Sequence, residues 1–191
     1  MGPELTYVKV RQDDQIYYLS KGTVSMLRGK YEVLEEMKGE ALDGWTYDGP
    51  FDELPAQQAA GGPQAHRVIL WDEVGEAEGT GIVHIAPAFG ADDMDAGRKY
   101  GLPILQTVNP QGEFIDEVAP WAGVWVKDAD PLITEELRAR GLLYKVEQYV
   151  HNYPFCWRCK TPLLYYARET WYIEATRYRE KMIELNQTIH W

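Results

Sequence analysis

The chain begins with short runs in which apolar and polar residues alternate. Residues 5–11 and 16–20 are rich in β-branched and aromatic side chains, and they flank the polar residues 12–15. Alternation with period two on both sides of a polar turn is typical of a β-hairpin. Residues 39–63 contain several Gly, Pro and Asp residues and predict an irregular excursion over the surface.

A second pattern places an imidazole and a carboxylate on opposite sides of a glycine turn. The run Ile-Val-His-Ile at 82–85 predicts a buried strand, which a Pro-Ala-Phe-Gly turn connects to a predicted helix over 92–100. A strand end and a helix start can face one cavity across such a turn. His84 and Asp93 are therefore candidate site residues, and a carboxylate in a cavity favours a ligand with a positive group.

The rest of the pattern predicts short strands with interleaved helices. This arrangement indicates an α+β fold with a barrel-like mixed sheet and flanking helices. The remaining predicted elements are a helical turn at 23–27, a strand or helix at 31–37, strands at 67–71, 142–150 and 163–166, a hairpin of 103–108 with 113–115, a helix from Asp130-Pro131 to Gly141, and a helix at 177–185.

Composition and charge narrow the class of protein. A length of 191 residues suits one domain or one and a half, with enough chain for a proper core. The net charge of −11 argues against broad nucleic-acid binding, although it does not exclude a local contact with one RNA end. No apolar run approaches 18 residues and no signal peptide is visible, and two cysteines suit a reducing compartment. We expect a cytoplasmic protein with no membrane partner.

Each candidate site residue also has an ordinary structural interpretation. Asp93 could favour the dipole of the predicted helix, although Asp92 and Asp95 could do the same. His84 could be a core histidine bonded to backbone, and Thr80 could be only a turn residue. The sequence has no Gly-x-Ser-x-Gly elbow, phosphate-binding loop or dinucleotide fingerprint. Covalent catalysis therefore has no candidate, whereas activation of a water molecule remains open.

The two cysteines, Cys156 and Cys159, have the spacing of a zinc knuckle. Two thiolates separated by two residues can share one tetrahedral ion, but a structural site needs four ligands. His151 lies nearby and fits a strand end equally well. The sequence therefore predicts half of a zinc site completed from outside this chain, with two unmetallated thiols as the alternative.

Two motifs resemble one family. Residues 79–93 (Gly-Thr-Gly-Ile-Val-His-Ile-Ala-Pro-Ala-Phe-Gly-Ala-Asp-Asp) resemble the editing insertion of bacterial-type isoleucyl-tRNA synthetases, as do residues 153–163 with Glu-Thr-Trp-Tyr-Ile at 169–173. The ending Ile-His-Trp at 189–191 resembles the return to the synthetic core. Related valyl and leucyl enzymes usually carry histidine where this chain has Phe89-Gly90, which favours the isoleucyl family.

The resemblance implies a piece of a class I synthetase that hydrolyses valine misattached to tRNA(Ile). Water would attack the ester, assisted by the terminal ribose hydroxyl. By position in the motif, Asp93 would bind the α-ammonium and His84 would line the side-chain pocket and exclude isoleucine. The substrate site would also include Thr80, Phe89 and Gly90. The implied partners are the 3′ end of tRNA(Ile) and the rest of the synthetase chain, whose core would bind ATP and Mg²⁺.

The chain departs from the family in one respect. The family's threonine-rich strand, roughly Trp-Thr-Thr-Thr-Pro-Trp-Thr-Leu-Pro, would lie shortly before residue 3 and is not in this sequence. We therefore expect an excised piece with impaired deacylation, divided into an editing body at 3–150 and a cysteine loop with return segment at 151–191. The alternatives are a non-catalytic module for the tRNA end and a zinc-dependent interaction module.

Overall fold

A computed structural model describes residues 1–148 and 150–190. Near the N-terminus it has an antiparallel sheet of three strands in the order β2-β1-β3. The predicted first hairpin is confirmed, and Asp13 in its two-residue turn has a φ of 50°. Residues 31–37, which fitted two element types, form a strand. The strands are β1 (Thr6–Gln12), β2 (Gln15–Ser20) and β3 (Glu32–Lys38).

The central strand, β1, is buried on both faces. Tyr7 is 0% exposed and packs with Met1 and Leu42 on one face. Val8 and Val10 pack with Leu19 on the other face. Because neighbouring residues of a strand point to opposite faces, β1 contributes to two separate hydrophobic clusters. The sheet is therefore an anchor for chain segments on both of its sides.

Helices are short and scattered along the rest of the chain. The predicted helices at 92–100 and 177–185 are confirmed, as is the helical turn near residue 23. The α-helices are α1 (Pro55–Ala60), α2 (Gly62–Ala65), α3 (Ala91–Tyr100), α4 (Val126–Ala139) and α5 (Arg179–Asn186), and the 3-10 helices are Lys21–Met26, Gly39–Leu42, Ala119–Trp121 and Ala175–Tyr178.

A third hydrophobic cluster is built from residues that are distant in sequence from the strands of the sheet. Leu54 and Ala56 are buried against Val118 and Trp121, whose indole meets the Phe51 ring edge-on at 5.2 Å. The predicted excursion over the surface at 39–63 is therefore wrong for this part of the segment. Turn-forming residues dominate its composition, yet Leu54 and Ala56 within it are buried.

The predicted barrel-like mixed sheet is not present. The α+β class is correct, but the sheet is antiparallel and does not close into a barrel. The strand predicted at 67–71 reduces to an isolated bridge at Arg67, and neither residues 163–166 nor residues 142–148 form a strand. The prediction for 142–150 also covered Tyr149, which lies outside the described residues.

Two further predictions are corrected in detail. The hairpin at 103–115 forms as a tight turn with a single bridge between Val108 and Phe114. Helix α4 begins at Val126, so Pro131 lies inside it and not at its start. The helix tolerates Pro131 early in its length, although the carbonyl of Lys127 lacks its usual partner there. Gly141, with a φ of 69°, follows the helix end as predicted.

The exposed surface is rich in aromatic residues toward the C-terminal end. Trp157 is 76% exposed, and Trp171 and Tyr172 are 101% and 80% exposed. Within the described part of the chain, no helix has the length and apolar character needed to cross a membrane.

The third hydrophobic cluster generates a test of the fold. We expect Trp121→Ala to lower the free energy of unfolding by about 3–5 kcal/mol, because it leaves a cavity among packed side chains. Trp171→Ala, at a fully exposed tryptophan, is the matched control and should change it by less than about 0.5 kcal/mol. Urea unfolding followed by circular dichroism measures both. Equal effects of the two substitutions would contradict the packing described for Trp121.

Candidate functional site

The loop of residues 79–90, called here the histidine loop, is fastened to the sheet. The Ser20 N–H donates to the Thr80 carbonyl oxygen, and the Tyr7 phenol donates to the Gly81 carbonyl oxygen, both at 2.8 Å. Burial raises the pKa of the Tyr7 phenol, so the group stays protonated and able to donate. The start of the histidine loop therefore has a fixed position relative to β1 and β2.

Gly81 is required at this fastening point for two reasons. Its φ of 69° lies in the left-handed region that side chains disfavour. A Cβ at this position would also lie 2.3 Å from the Ser20 Cβ. The close approach of the histidine loop to β2 thus depends on the missing side chain.

The buried strand predicted at 82–85 is wrong. These residues have no strand partner, and Ile82 and Val83 are 37% and 42% exposed. His84 is exposed as well. The apolar side chains of the run line a cavity and do not fill a core, which explains why their hydrophobicity resembled that of a buried strand.

This cavity has a volume of about 540 Å³, within the range of small-molecule sites. Its lining consists of residues 65–69, 82–89, 102, 103, 105 and 107, together with Met1, Tyr47, Gln57 and Gly62. The lining is mostly apolar. None of its lining residues in the described part of the chain is Asp or Glu.

The structure brings together only some of the predicted site residues. His84 and Phe89 line the cavity, whereas Thr80, Gly90 and Asp93 do not. The Thr80 hydroxyl is engaged locally, as it accepts a hydrogen bond from the Ile82 N–H at 3.3 Å.

Asp93 lies in the first turn of α3 and ties the histidine loop back onto that helix. Its Oδ1 accepts a hydrogen bond from the Ala86 N–H at 2.8 Å. Gly90 is the residue that precedes the helix, and a Cβ there would lie 2.0 Å from Asp93 Oδ2. The carboxylate therefore takes the space that a side chain at position 90 would fill. This contact gives Asp93 a structural role whatever else it does.

A second group of side chains at the cavity was not predicted from sequence. The rings of Tyr47 and His66 both line the cavity and stack in parallel, 5.1 Å between centroids and 1° between planes. His66 Nδ1 lies 3.2 Å from Asp52 Oδ1, and neither buried atom has a hydrogen bond of good geometry within the described residues. Asp52 Oδ2 accepts from the Gly49 N–H at 2.8 Å. Partial burial, and then the charge of Asp52, raise the pKa of Tyr47.

The sequence contained no usable signal for this group. Tyr47 and Asp52 lie within the predicted excursion at 39–63 and His66 follows it. The spacing of the three residues matches no motif. Only the fold brings the Tyr47 and His66 rings to one wall of the cavity and Asp52 into contact with His66.

The cysteine loop closes a separate turn. The Cys156 N–H donates to the Thr161 carbonyl oxygen and the Lys160 N–H donates to the Cys156 carbonyl oxygen, both at 2.9 Å. The Cys159 sulfur lies 3.0 Å from the Thr161 hydroxyl oxygen. Within the described residues, no group of three or more His, Cys, Asp or Glu side chains could hold a metal ion.

Comparison with known proteins relates the chain to one group of enzymes. It is 46% identical over 185 residues to isoleucine–tRNA ligase of Clostridium acetobutylicum. It is 43% identical over 190 residues to that of Thermus thermophilus and 42% identical over 195 residues to that of Pyrococcus furiosus. These matches cover 96–99% of this chain but only 17–18% of each relative. No family profile matches the chain.

The fold is shared with a solved structure. "The crystal structure of GlLeuRS-CP1" matches with a TM-score of 0.51 at 15% identity, over 78% of this chain and 77% of that one. At this level of identity the likeness is one of fold alone.

The cysteine loop generates a test of its own geometry. Hydrogen bonds with the Thr161 hydroxyl and N–H, and with Cys156, lower the pKa of Cys159 to about 7. In metal-free protein, alkylation of Cys159 by iodoacetamide should therefore rise through an inflection near pH 7, because the thiolate is the nucleophile. Thr161→Val should move the inflection to higher pH. Peptide mapping by mass spectrometry separates Cys159 from Cys156, and an unmoved inflection would contradict the proposed cause.

Proposed function

The chain is homologous to one segment of isoleucyl-tRNA synthetase over almost its whole length, and on this premise we propose that it is an editing domain that hydrolyses valyl-tRNA(Ile). A synthetic site that fits isoleucine cannot strongly reject valine, which is one methylene smaller, so a second hydrolytic sieve is needed. Isoleucyl-tRNA synthetase is itself the standard example of this double sieve.

The observation that carries the proposal is the cavity beside the histidine loop. Its wall includes Ile82, Val83 and Ile85, which can contact a small branched side chain. His84 lies on the same wall. We assign His84 to the side-chain pocket, where its imidazole would leave enough space for valine but not for the larger isoleucine.

Asp93 is the proposed anchor for the α-ammonium of the misattached amino acid. Its Oδ1 is committed to the Ala86 N–H, so Oδ2 is the oxygen left for an ammonium group. Phe89 lines the cavity, and Thr80 and Gly90, on the same histidine loop but outside the lining, would complete the substrate contacts. Water would attack the ester with the help of the terminal ribose hydroxyl, since the sequence offers no covalent nucleophile.

The activity of a whole synthetase extends beyond this segment. We propose that the segment belongs to a cytoplasmic, ATP-dependent isoleucine–tRNA ligase with tRNA(Ile) as its partner. ATP and Mg²⁺ would bind elsewhere in that enzyme. Cys156 and Cys159 would supply two thiolates to a structural zinc ion, which would hold the cysteine loop against the rest of the enzyme.

A non-catalytic role is the second candidate. The exposed aromatic residues of the C-terminal part, Trp157, Trp171 and Tyr172 among them, favour a surface that packs against another body. In this case the segment would contact the tRNA end or the synthetic core without hydrolysing an ester.

Asp93 provides the first test of catalysis, in a full-length isoleucyl-tRNA synthetase that contains this segment. Asp93→Asn keeps an oxygen that can accept from the Ala86 N–H but removes the negative charge. We expect it to retain the fold and to slow deacylation of valyl-tRNA(Ile) about 30-fold or more, because a desolvated charge pair is worth about 2 kcal/mol or more. Aminoacylation with isoleucine should be unchanged.

The control for Asp93 is Asp95→Asn in the same helix, an exposed carboxylate paired with Arg98. Deacylation by this variant should match that of the unaltered enzyme. If Asp93→Asn also deacylates normally, Asp93 has only its structural role and the second candidate gains support.

His84 provides a test of specificity. His84→Ala should let isoleucine enter the pocket, so deacylation of correctly charged isoleucyl-tRNA(Ile) should rise and valine-over-isoleucine selectivity should fall by roughly tenfold. Initial rates on the two charged tRNAs measure the ratio. His190→Ala, at an exposed histidine outside the cavity, is the control. If the selectivity for valine over isoleucine is unchanged in His84→Ala, His84 does not contribute to the side-chain pocket.

A further inference from the structure

Hydrolysis of an ester by water is accelerated by a group that accepts a proton from the attacking water molecule. None of the described residues that line the cavity is Asp or Glu, so the candidates on its walls are the imidazoles of His66 and His84. The Tyr47 phenol also lines the cavity, but partial burial and then the charge of Asp52 raise its pKa, which keeps it protonated. The choice of a base is therefore between two histidines.

His66 has a carboxylate partner and His84 does not. The His66 side chain is only 19% exposed, and its Nδ1 lies 3.2 Å from Asp52 Oδ1. His84 is exposed and has no such partner among the described residues. A carboxylate beside Nδ1 favours the tautomer whose Nε2 can accept a proton, and it stabilises the imidazolium that then forms. The pair of His66 and Asp52 thus has the composition of a general base with its orienting group.

The contact between His66 and Asp52 leaves room to tighten. Nδ1 and Oδ1 are both buried, and neither has a hydrogen bond of good geometry within the described residues. Catalytic hydrogen bonds are often long or poorly aligned until the substrate binds. His66 Nε2 has no hydrogen bond to a described residue and is not fully buried, so it is the nitrogen left for a molecule in the cavity.

Packing fixes the orientation of the His66 imidazole. The Tyr47 ring is stacked on it in parallel, 5.1 Å between centroids. The Gly49 N–H donates to Asp52 Oδ2 at 2.8 Å, and a Cβ at Gly49 would lie 2.4 Å from His66 Cε1. A base that is already oriented in the free protein loses little freedom when the reaction begins.

We propose that His66 is the general base of ester hydrolysis in this cavity and that Asp52 is its positioning residue. This assignment rests on the proposed editing function. As the water oxygen bonds to the ester carbonyl carbon, one of its protons moves to His66 Nε2. The bond between that carbon and the ribose oxygen then breaks, and the ribose oxygen takes the proton from His66. The base ends the cycle as it began.

The test measures steady-state deacylation of valyl-tRNA(Ile) by a full-length isoleucyl-tRNA synthetase that contains this segment. His66→Asn keeps a side-chain amide that can donate to Asp52 but removes the basic nitrogen. It should lower kcat about 100-fold or more, the usual contribution of a general base. KM should be unchanged, because the proton moves only in the transition state. A residue that merely shapes the cavity would raise KM instead.

Asp52→Asn tests the positioning role and keeps the proposal falsifiable if His66→Asn does not fold. It leaves the imidazole in place and keeps an oxygen for the Gly49 N–H, but it removes the charge that stabilises the imidazolium. We expect kcat to fall by a smaller factor than in His66→Asn, about tenfold or more, at unchanged KM. Asp48→Asn, at an exposed carboxylate of the same loop that does not line the cavity, is the matched control and should leave both constants unchanged.

The proposal is overturned if either variant folds, as judged by circular dichroism, and keeps the kcat of the unaltered enzyme. It is also overturned if the only effect is a higher KM. If the base alone is wrong, deacylation still depends on Asp93 and His84 while kcat ignores His66 and Asp52. If editing itself is wrong, the unaltered enzyme does not deacylate valyl-tRNA(Ile), and both proposals fail.

Discussion

The arrangement of the cavity depends on one buried hydroxyl. The Tyr7 phenol accepts a hydrogen bond from the Gly2 N–H at 3.0 Å and donates one to the Gly81 carbonyl oxygen. It thereby joins the first residues, the central strand β1 and the start of the histidine loop. A buried hydroxyl with both partners in place is stabilising, and the loss of either partner would leave a buried polar group unsatisfied. The irregular wall of the cavity thus takes its position from the most regular part of the fold.

The secondary-structure elements behind this anchoring could be predicted from the sequence, whereas the anchoring hydrogen bonds and the cavity could not. Local patterns predicted the first hairpin and α3, because their alternation and turn residues act within a few positions of each other. The same patterns failed for residues 82–85, since a cavity wall and a buried strand are equally apolar. The failure shows the limit of hydrophobicity as a signal: it predicts removal from water but not the partner that removes it.

The Tyr47–His66 stack illustrates a second limit. Nineteen positions separate the two rings in the sequence, and neither belongs to a periodic element. Their contact depends on the bridge between Thr46 and Arg67, which sets the two neighbouring residues side by side. A single long-range bridge of this kind produces no local sequence pattern, so the Tyr47–His66 stack can be identified only in the folded chain.

Asp93 shows how a structural role and the proposed functional role can share one side chain. A carboxylate has two oxygens, and the Ala86 N–H occupies only one of them. The bond to Ala86 fixes the orientation of the carboxylate, which a group that binds an ammonium ion needs before its ligand arrives. Glycine at position 90 leaves space for the second oxygen, since a Cβ there would collide with it. The hydrogen bond from the Ala86 N–H, which gives Asp93 its structural role, would therefore also orient the carboxylate for the binding of a cation.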